Sequence, residues 1–260
     1  MNALVGDIGN TITKVCLIEI KTFKIKKIIY LDSSKIFSSN YLKNGLKKII
    51  KSKSINKIAL FSSVVPKYQF FLSKILYKSY KIKLREIKET RIKKVIKINI
   101  KNRNQVGSDR IANAVGVFKK YKSNCIVLDF GTATTFDVIN ISGNYIGGLI
   151  TPGINLSLYN LFKKTSMLPL IKFKRKNSLI GKDTKNAIEN GIYWSYIGLV
   201  TFIIKKIQNK FKKNFFCIST GGLSKIISKD INLINIVNEN LTIHGLIEIF
   251  KLNYYEKSNS

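Results

Sequence analysis

The sequence is poor in cysteine, histidine and acid, and each shortage removes a class of function. Three cysteines among 260 residues are too few and too scattered for a disulfide framework. Cys16, Cys125 and Cys217 each lie inside an apolar run and read as small buried hydrophobes of a reducing compartment. No Cys-x-x-Cys occurs, and the single histidine, His244, sits in a helical apolar pattern with Leu241, Leu246, Ile247 and Phe250, so nothing has metal-ligand spacing. A GxxxxGK[ST] phosphate loop is missing, as is the signature set of the protein kinases. Met1 to Asn10 contains Asp7 and lacks a basic stretch followed by an apolar one, which predicts a cytoplasmic chain. The longest uncharged run, Val138 to Phe162, carries Asn140, Gly143, Asn144, Gly147, Gly148, Pro152, Gly153 and Asn155. That is strand and turn chemistry, so no membrane association is expected.

What remains is ordinary in bulk, with 45% hydrophobic and 23% charged residues, which excludes disorder and collagen. The length allows one large domain or two of roughly 100 to 150 residues. Against 14 acids stand 46 Lys and Arg, a formal charge of +32. Such a charge is the footprint of nucleic-acid binding when it is clustered. Here only Arg85, Arg91, Arg103, Arg110 and Arg175 are arginines, Ile and Asn are abundant too, and the lysines are spread over every predicted helix. Lys, Ile and Asn share A/T-rich codons, so the charge reads as compositional drift and nucleic acid is not the expected partner. The alternative, a regulator that binds nucleic acid, requires a steep salt dependence.

Strand signals at Ala3–Val5, Thr13–Ile20 and Ile25–Leu31 form a β-meander, interrupted by Gly6 to Thr11. A helix over Leu42–Ile50 and a short buried strand at Ile58–Ser62 follow, then a helix over Tyr68–Tyr80 after Pro66, and the alternation continues, so the class is α/β. Lys81 to Arg103 carries ten basic residues, with Val95, Ile96, Ile98 and Ile100 favouring an edge or connecting strand, before a helix from Asp109 to about Tyr121. The second half then repeats the first. Ile126-Val127-Leu128 leads into Asp129-Phe130-Gly131-Thr132, with strands at Thr134–Ile139 and Tyr145–Ile150, set beside Leu4-Val5-Gly6-Asp7-Ile8-Gly9-Asn10-Thr11. The repeat of about 120 residues implies two similar domains, 1–119 and 120–260.

Both copies end a strand on Asp-x-Gly, followed by hydroxyl or amide residues. Such a turn offers backbone N–H and hydroxyl donors to phosphates, and its aspartate can hold Mg²⁺ directly or through water. Lys14 can neutralise phosphate charge beyond the first turn, and the bland alternative for one copy is a type I′ hairpin. Gly107-Ser108-Asp109-Arg110 opens a helix. Asp109 is either a helix cap or a base beside a guanidinium suited to gripping a carboxylate. Thr184, after Gly181, either caps a helix or meets a ligand, and Thr220-Gly221-Gly222 follows an apolar strand. Tyr193, Trp194, Tyr196 and His244 read as core.

Taken in order, six motifs resemble the type III pantothenate kinases. They are Asp7-Ile8-Gly9-Asn10-Thr11-x-x-Lys14, Gly107 to Ala114, Asp129 to Asp137, Gly147-Gly148-x-Ile150-x-Pro152-Gly153, Gly181-x-x-Thr184-x-x-Ala187-Ile188-x-x-Gly191 and Thr220-Gly221-Gly222. The resemblance implies two duplicated ribonuclease-H-like domains of the acetate and sugar kinase, Hsp70 and actin superfamily, with ATP in the interdomain cleft. It implies ATP-dependent phosphorylation of pantothenate to 4′-phosphopantothenate, the first step of coenzyme A biosynthesis, by a homodimer using Mg²⁺. By the same resemblance Asp7, Ile8, Gly9, Asn10, Thr11, Ile12, Thr13 and Lys14 form the first phosphate loop, with Asp7 on Mg²⁺. Thr132, Gly221 and Gly222 meet ATP, and Asp129 helps hold a monovalent cation, K⁺ or NH₄⁺. Gly107, Ser108, Asp109, Arg110 and Thr184 hold pantothenate, with Asp109 as general base. The chain departs from the family at Ile100 and Arg103, where a tyrosine and a proline are usual. A same-fold phosphotransferase acting on another small hydroxyl compound is the alternative enzyme.

Overall fold

The near-continuous burial of Ala3, Leu4, Val5 and Gly6 marks a strand that is covered on both faces, and in the computed structural model it is the middle of a sheet. The structure describes residues 1–51, 54–90, 92 and 95–258, with side chains through residue 254. The chain divides into two compact units, Met1–Tyr121 together with Leu241 onward, and Lys122–Asn240.

In the first unit β1 (Asn2–Ile8), β2 (Ile12–Glu19) and β3 (Ile25–Asp32) form an antiparallel meander. After α1 (Ser39–Lys47), β4 (Ile58–Ser63) returns parallel to β1, and after α2 (Pro66–Tyr80), β5 (Lys83–Glu86) adds parallel to β4. The strand order is β3-β2-β1-β4-β5. The lysine-rich stretch that follows holds a two-residue strand, β6 (Lys97–Ile98), ahead of α3 (Ser108–Tyr121). Arg91, Lys93 and Lys94 of that stretch lie outside the described residues. Ile8, Val15, Leu42, Leu46, Phe61, Leu72 and Leu76 make up the heart of this unit's core.

The second unit repeats the topology. β7 (Cys125–Phe130), β8 (Ala133–Ile139) and β9 (Asn144–Pro152) form the meander, α4 (Ile154–Lys164) and α5 (Thr184–Phe211) follow, and β10 (Phe216–Thr220) returns parallel to β7. After α6 (Ser224–Ile227), β11 (Ile236–Val237) pairs parallel with β10, so this unit's own five strands, β9-β8-β7-β10-β11, repeat the order of the first sheet. α5 is long and apolar enough, by length and composition alone, to cross a membrane. Its Tyr193, Tyr196, Val200, Ile204 and Ile207 are packed in this unit's core, with Glu189 and Asn190 buried beside them.

Two expectations change. β1 continues through Gly6 and Asp7 to Ile8 instead of stopping at Val5. Gly6 is a packing residue there: a Cβ would overlap the Phe61 ring and lie 2.5 Å from the Lys14 carbonyl oxygen. The last helix, α7 (Leu241–Ser258), was expected with the second half, yet it packs on α3 of the first unit. Gly245 lets the two helix backbones meet at Ala112, and the buried Thr242 hydroxyl donates to Asn113 Oδ1 at 2.8 Å. A division into 1–119 and 120–260 therefore gives way to one in which both chain ends share a unit.

Candidate active site

Asp7 is the last residue but one of β1, and its register neighbours are Lys14 on β2 and Ser62 on β4. The Ser62 hydroxyl donates to Asp7 Oδ1 at 2.7 Å, which fixes the carboxylate at the C-terminal end of the middle strand. The turn after it is anchored from one side. The Gly9 N–H donates to the Ile12 carbonyl at 3.2 Å, the Ser33 hydroxyl donates to the Gly9 carbonyl at 2.8 Å, and the Ser33 N–H donates to the Thr11 carbonyl at 3.0 Å. Thr13 supports Ser33 through a 2.9 Å hydroxyl contact. With two carbonyls committed inward, Asn10, Thr11 and Ile12 are exposed, and Lys14 is half-buried. Ile8 and Thr13 are fully buried, so toward a ligand they can offer only backbone.

Gly107 to Arg110 begin α3. Ser108 is buried and Asp109 half-buried, its Oδ1 accepting the Arg110 N–H at 2.8 Å. Burial pushes the Asp109 carboxyl above the ordinary carboxylate range; the Arg110 N–H and guanidinium and the Lys88 ammonium pull the other way. A carboxylate moved toward neutrality is better suited to taking a proton. Gly107 is needed beside it, because a Cβ there would overlap Asp109 Oδ1. Ile100 is half-buried and Arg103 exposed. Just before Arg103, Asn102 Oδ1 accepts the Asn104 N–H at 3.2 Å and holds a short 3-10 turn over Arg103–Gln105.

Glu86, at the end of β5, escaped the sequence reading as a site residue. It is only 8% exposed, its Oε2 accepts the Lys88 N–H at 2.6 Å, and burial drives its carboxyl upward against the Ser108 hydroxyl and the Ser63 N–H. The available signal was an acid at a strand end within a lysine-saturated stretch.

In the second unit Asp129 occupies the place that Asp7 holds in the first. It is the last residue but one of β7, opposite Thr135 on β8 and Thr220 on β10. The turn after it is one residue shorter, closed by the Gly131 N–H on the Ala133 carbonyl at 3.1 Å, and Thr132 is exposed. Gly153, the residue that caps α4, presses on the Gly131 and Thr132 carbonyls where a Cβ could not fit. Gly221 follows β10 with φ of +88°, and a Cβ there would lie 2.6 Å from both Asp129 Oδ1 and the Phe130 carbonyl carbon. Two threonine hydroxyls here, Thr134 Oγ1 and Thr220 Oγ1, are buried without a hydrogen-bond partner among the described residues.

Thr184 is the exposed first residue of α5. It is not the cap: Asp183 is, through Oδ1 accepting the Asn186 N–H at 2.8 Å. The chain leading to it is tied to α5 and its surroundings. Arg175 grips Asp230 with Nε at 2.8 Å and a terminal nitrogen at 2.6 Å, Tyr193 also donates to Asp230, Lys176 pairs with Glu189, and Trp194 Nε1 donates to the Ser178 carbonyl at 2.9 Å. Arg175 and Tyr193 hold the Asp230 carboxyl down, to about 2. Tyr193 and Tyr196 are core residues, as read, and His244 is half-buried on α7, where burial lowers its imidazole below the usual range.

A sequence profile of the family described as Type III pantothenate kinase matches residues 3–206. The chain belongs to the type III pantothenate kinase family. A protein named Type III pantothenate kinase from Pelagibacter ubique is 46% identical over 245 residues, covering 94% of this chain and 96% of its own length. Among solved structures, a Baf family transcriptional activator from Campylobacter jejuni superposes with a TM-score of 0.62 at 18% identity, covering 97% of this chain and 99% of its own. MreB 5 of Spiroplasma citri, bound to AMPPNP, superposes with a TM-score of 0.58 at 11% identity, covering 99% and 98%. Those two likenesses concern the fold alone.

For a pantothenate kinase of this family the donor sets agree with hard cations. Among the described residues no three His, Cys, Asp or Glu side chains cluster as a preformed metal cage. One carboxylate with a neighbouring hydroxyl, as at Asp7 and Ser62, fits Mg²⁺, which keeps waters and phosphate oxygens as its other ligands. Asp129, with the unpartnered Thr220 hydroxyl at the next strand's matching position, is an all-oxygen set that fits a monovalent cation.

Proposed function

We propose that this chain transfers the terminal phosphoryl group of ATP to the primary hydroxyl of pantothenate, giving 4′-phosphopantothenate and ADP, the first step of coenzyme A synthesis. Family membership supports the reaction, and one observation at the site carries the chemistry: Asp109, at the start of α3, holds a carboxyl raised by burial beside an arginine. Phosphoryl transfer asks a protein for positioning and charge neutralisation more than for covalent help.

In this reading Asp109 accepts the hydroxyl proton as the oxygen forms its bond to the γ-phosphorus and the bond to the ADP oxygen breaks. Arg110 answers the carboxylate of pantothenate with a planar fork, a task a lysine performs less well. Gly107, Ser108 and Thr184 complete the substrate contacts. The exposed turn at Asn10 and Thr11, with Lys14, binds phosphates of ATP, as do Thr132, Gly221 and Gly222. Mg²⁺, held through Asp7, would neutralise phosphate charge, and K⁺ or NH₄⁺ at Asp129 would add a fixed positive charge. The reading includes a cytoplasmic homodimer.

The test is phosphorylation of pantothenate by the purified chain with ATP, Mg²⁺ and K⁺, followed by direct detection of 4′-phosphopantothenate. Turnover that falls when K⁺ is replaced by Na⁺ supports the reading. Folded protein that leaves pantothenate unmodified refutes it, and a panel of other hydroxy acids and sugars then identifies the sibling phosphotransferase.

A further inference from the structure

The turn that follows β5 touches the approach to Asp109 from two sides. Inside, Glu86 Oε2 accepts the Lys88 N–H at 2.6 Å and so caps the turn of Ile87, Lys88 and Glu89, which the Thr90 hydroxyl closes on the Ile87 carbonyl at 2.6 Å. Outside, Lys88 extends its ammonium to the Asn104 carbonyl at 3.1 Å. Asn104 belongs to the 3-10 turn capped by Asn102, and the chain runs from there directly through Val106 and Gly107 into Asp109. Lys88 thus ties the turn after β5 to the loop delivering the base, beside the buried Glu86, which meets the Ser108 hydroxyl. Its backbone is fixed by a buried carboxylate, so the ammonium reaches from a rigid root.

We propose that Lys88, rooted by Glu86, is a positioning residue for phosphoryl transfer: it holds the 102–107 approach in place and sets a positive charge near the Asp109 carboxylate. The inference rests on the assignment of Asp109 as general base. The charges acting on Asp109 are the Arg110 guanidinium of α3 and the Lys88 ammonium of the turn, and Glu86 of β5 stands behind Ser108. Lys88 favours ionised Asp109, so its removal raises the base's pKa and shifts the acid limb of the activity profile to higher pH. A lysine at the surface acts through water, and the shift is correspondingly modest.

The experiment is the pH dependence of kcat/KM for pantothenate in Lys88→Met and Lys88→Arg, with Lys88→Gln as a second neutral variant should the first fail to fold. The acid limb of Lys88→Met is expected to move up by roughly half a pH unit, about threefold in rate below the limb, with Lys88→Arg returning to the wild-type profile. Loss of the tether adds a fall in kcat that exceeds the change in KM. An acid limb that stays in place in the neutral variants, or moves as far in Lys88→Arg, overturns the proposal. Asp109→Asn, assayed alongside, separates the two claims. If that variant retains full activity the base assignment itself fails, whereas an inactive Asp109→Asn beside an unmoved Lys88→Met removes only the role of Lys88.

Discussion

Asp109→Asn separates catalysis from folding, because the structure predicts opposite signs for the two. Asparagine keeps an oxygen where Asp109 Oδ1 accepts the Arg110 N–H, so the first turn of α3 is conserved. What it loses is the capacity to take a proton, and loss of a general base costs about a hundredfold to ten-thousandfold in rate, at least about 2.7 kcal/mol of barrier. For stability the sign reverses. Burial raises the Asp109 carboxyl, so between its ordinary and raised values the folded chain keeps a proton that the unfolded chain has released. Stability therefore declines as pH rises through that interval, and above it the ionised group works against the fold. The opposing contribution is the favourable placement of negative charge at the α3 N-terminus, about 0.3 to 1 kcal/mol. The net expectation is a kcat lowered at least about a hundredfold, with a melting temperature within about 4 °C of wild type or above it. Detection of 4′-phosphopantothenate and a thermal melt on the same preparation measure both. A variant within about tenfold of wild-type kcat would refute the base assignment and leave Asp109 as a helix-start residue. A collapsed melting temperature would refute the claim that its charge opposes folding.

Two glycines give sharper geometric tests. In Gly107→Ala the new methyl overlaps Asp109 Oδ1, the tip of a side chain that can move, so the fold is expected to survive while kcat falls tenfold to about a hundredfold from displacement of the base; an unchanged kcat would contradict the placement of Asp109. Gly221→Ala meets backbone at Phe130 and a φ of +88° together, and is expected to cost about 2 kcal/mol or more in a urea melt and to raise the KM for ATP. Gly222→Ala, which meets no atom within 4 Å, should stay within about 0.5 kcal/mol of wild type in the same melt.

The parts of this chain that could be read from its sequence are those whose cause is local. Asp-x-Gly at the end of an apolar strand appears twice because each copy ends a middle strand on a carboxylate and turns immediately, and the structure places Asp7 and Asp129 at matching positions of two sheets with one strand order. Gly6 misled because a glycine in a strand signals a break unless the ring above it is known, and that ring, Phe61, arrives from β4. α7 was assigned to the wrong half for the same reason on a larger scale. Its apolar pattern shows that it packs but not on what, and its partner Asn113 lies 129 residues away. Glu86 and Lys88 stayed hidden because their meaning comes from Ser63, Asn104 and Ser108, which β4, the 102–105 turn and α3 bring to one place.

Composition carried a further signal that the structure now explains. In a chain where lysine outnumbers arginine so heavily, an arginine survives drift where a lysine cannot do the same work. Arg175 shows why: two nitrogens hold both oxygens of Asp230 at 2.6 and 2.8 Å, an arrangement that a single ammonium cannot reproduce. That grip anchors the segment leading into α5 and Thr184. Arg110 stands beside Asp109 at the start of α3, where the proposed partner is again a carboxylate, that of the substrate. The same reasoning assigns Lys88 differently. Among the described residues its ammonium makes one hydrogen bond, to one carbonyl oxygen, and contributes a point charge, and for that task an ammonium suffices.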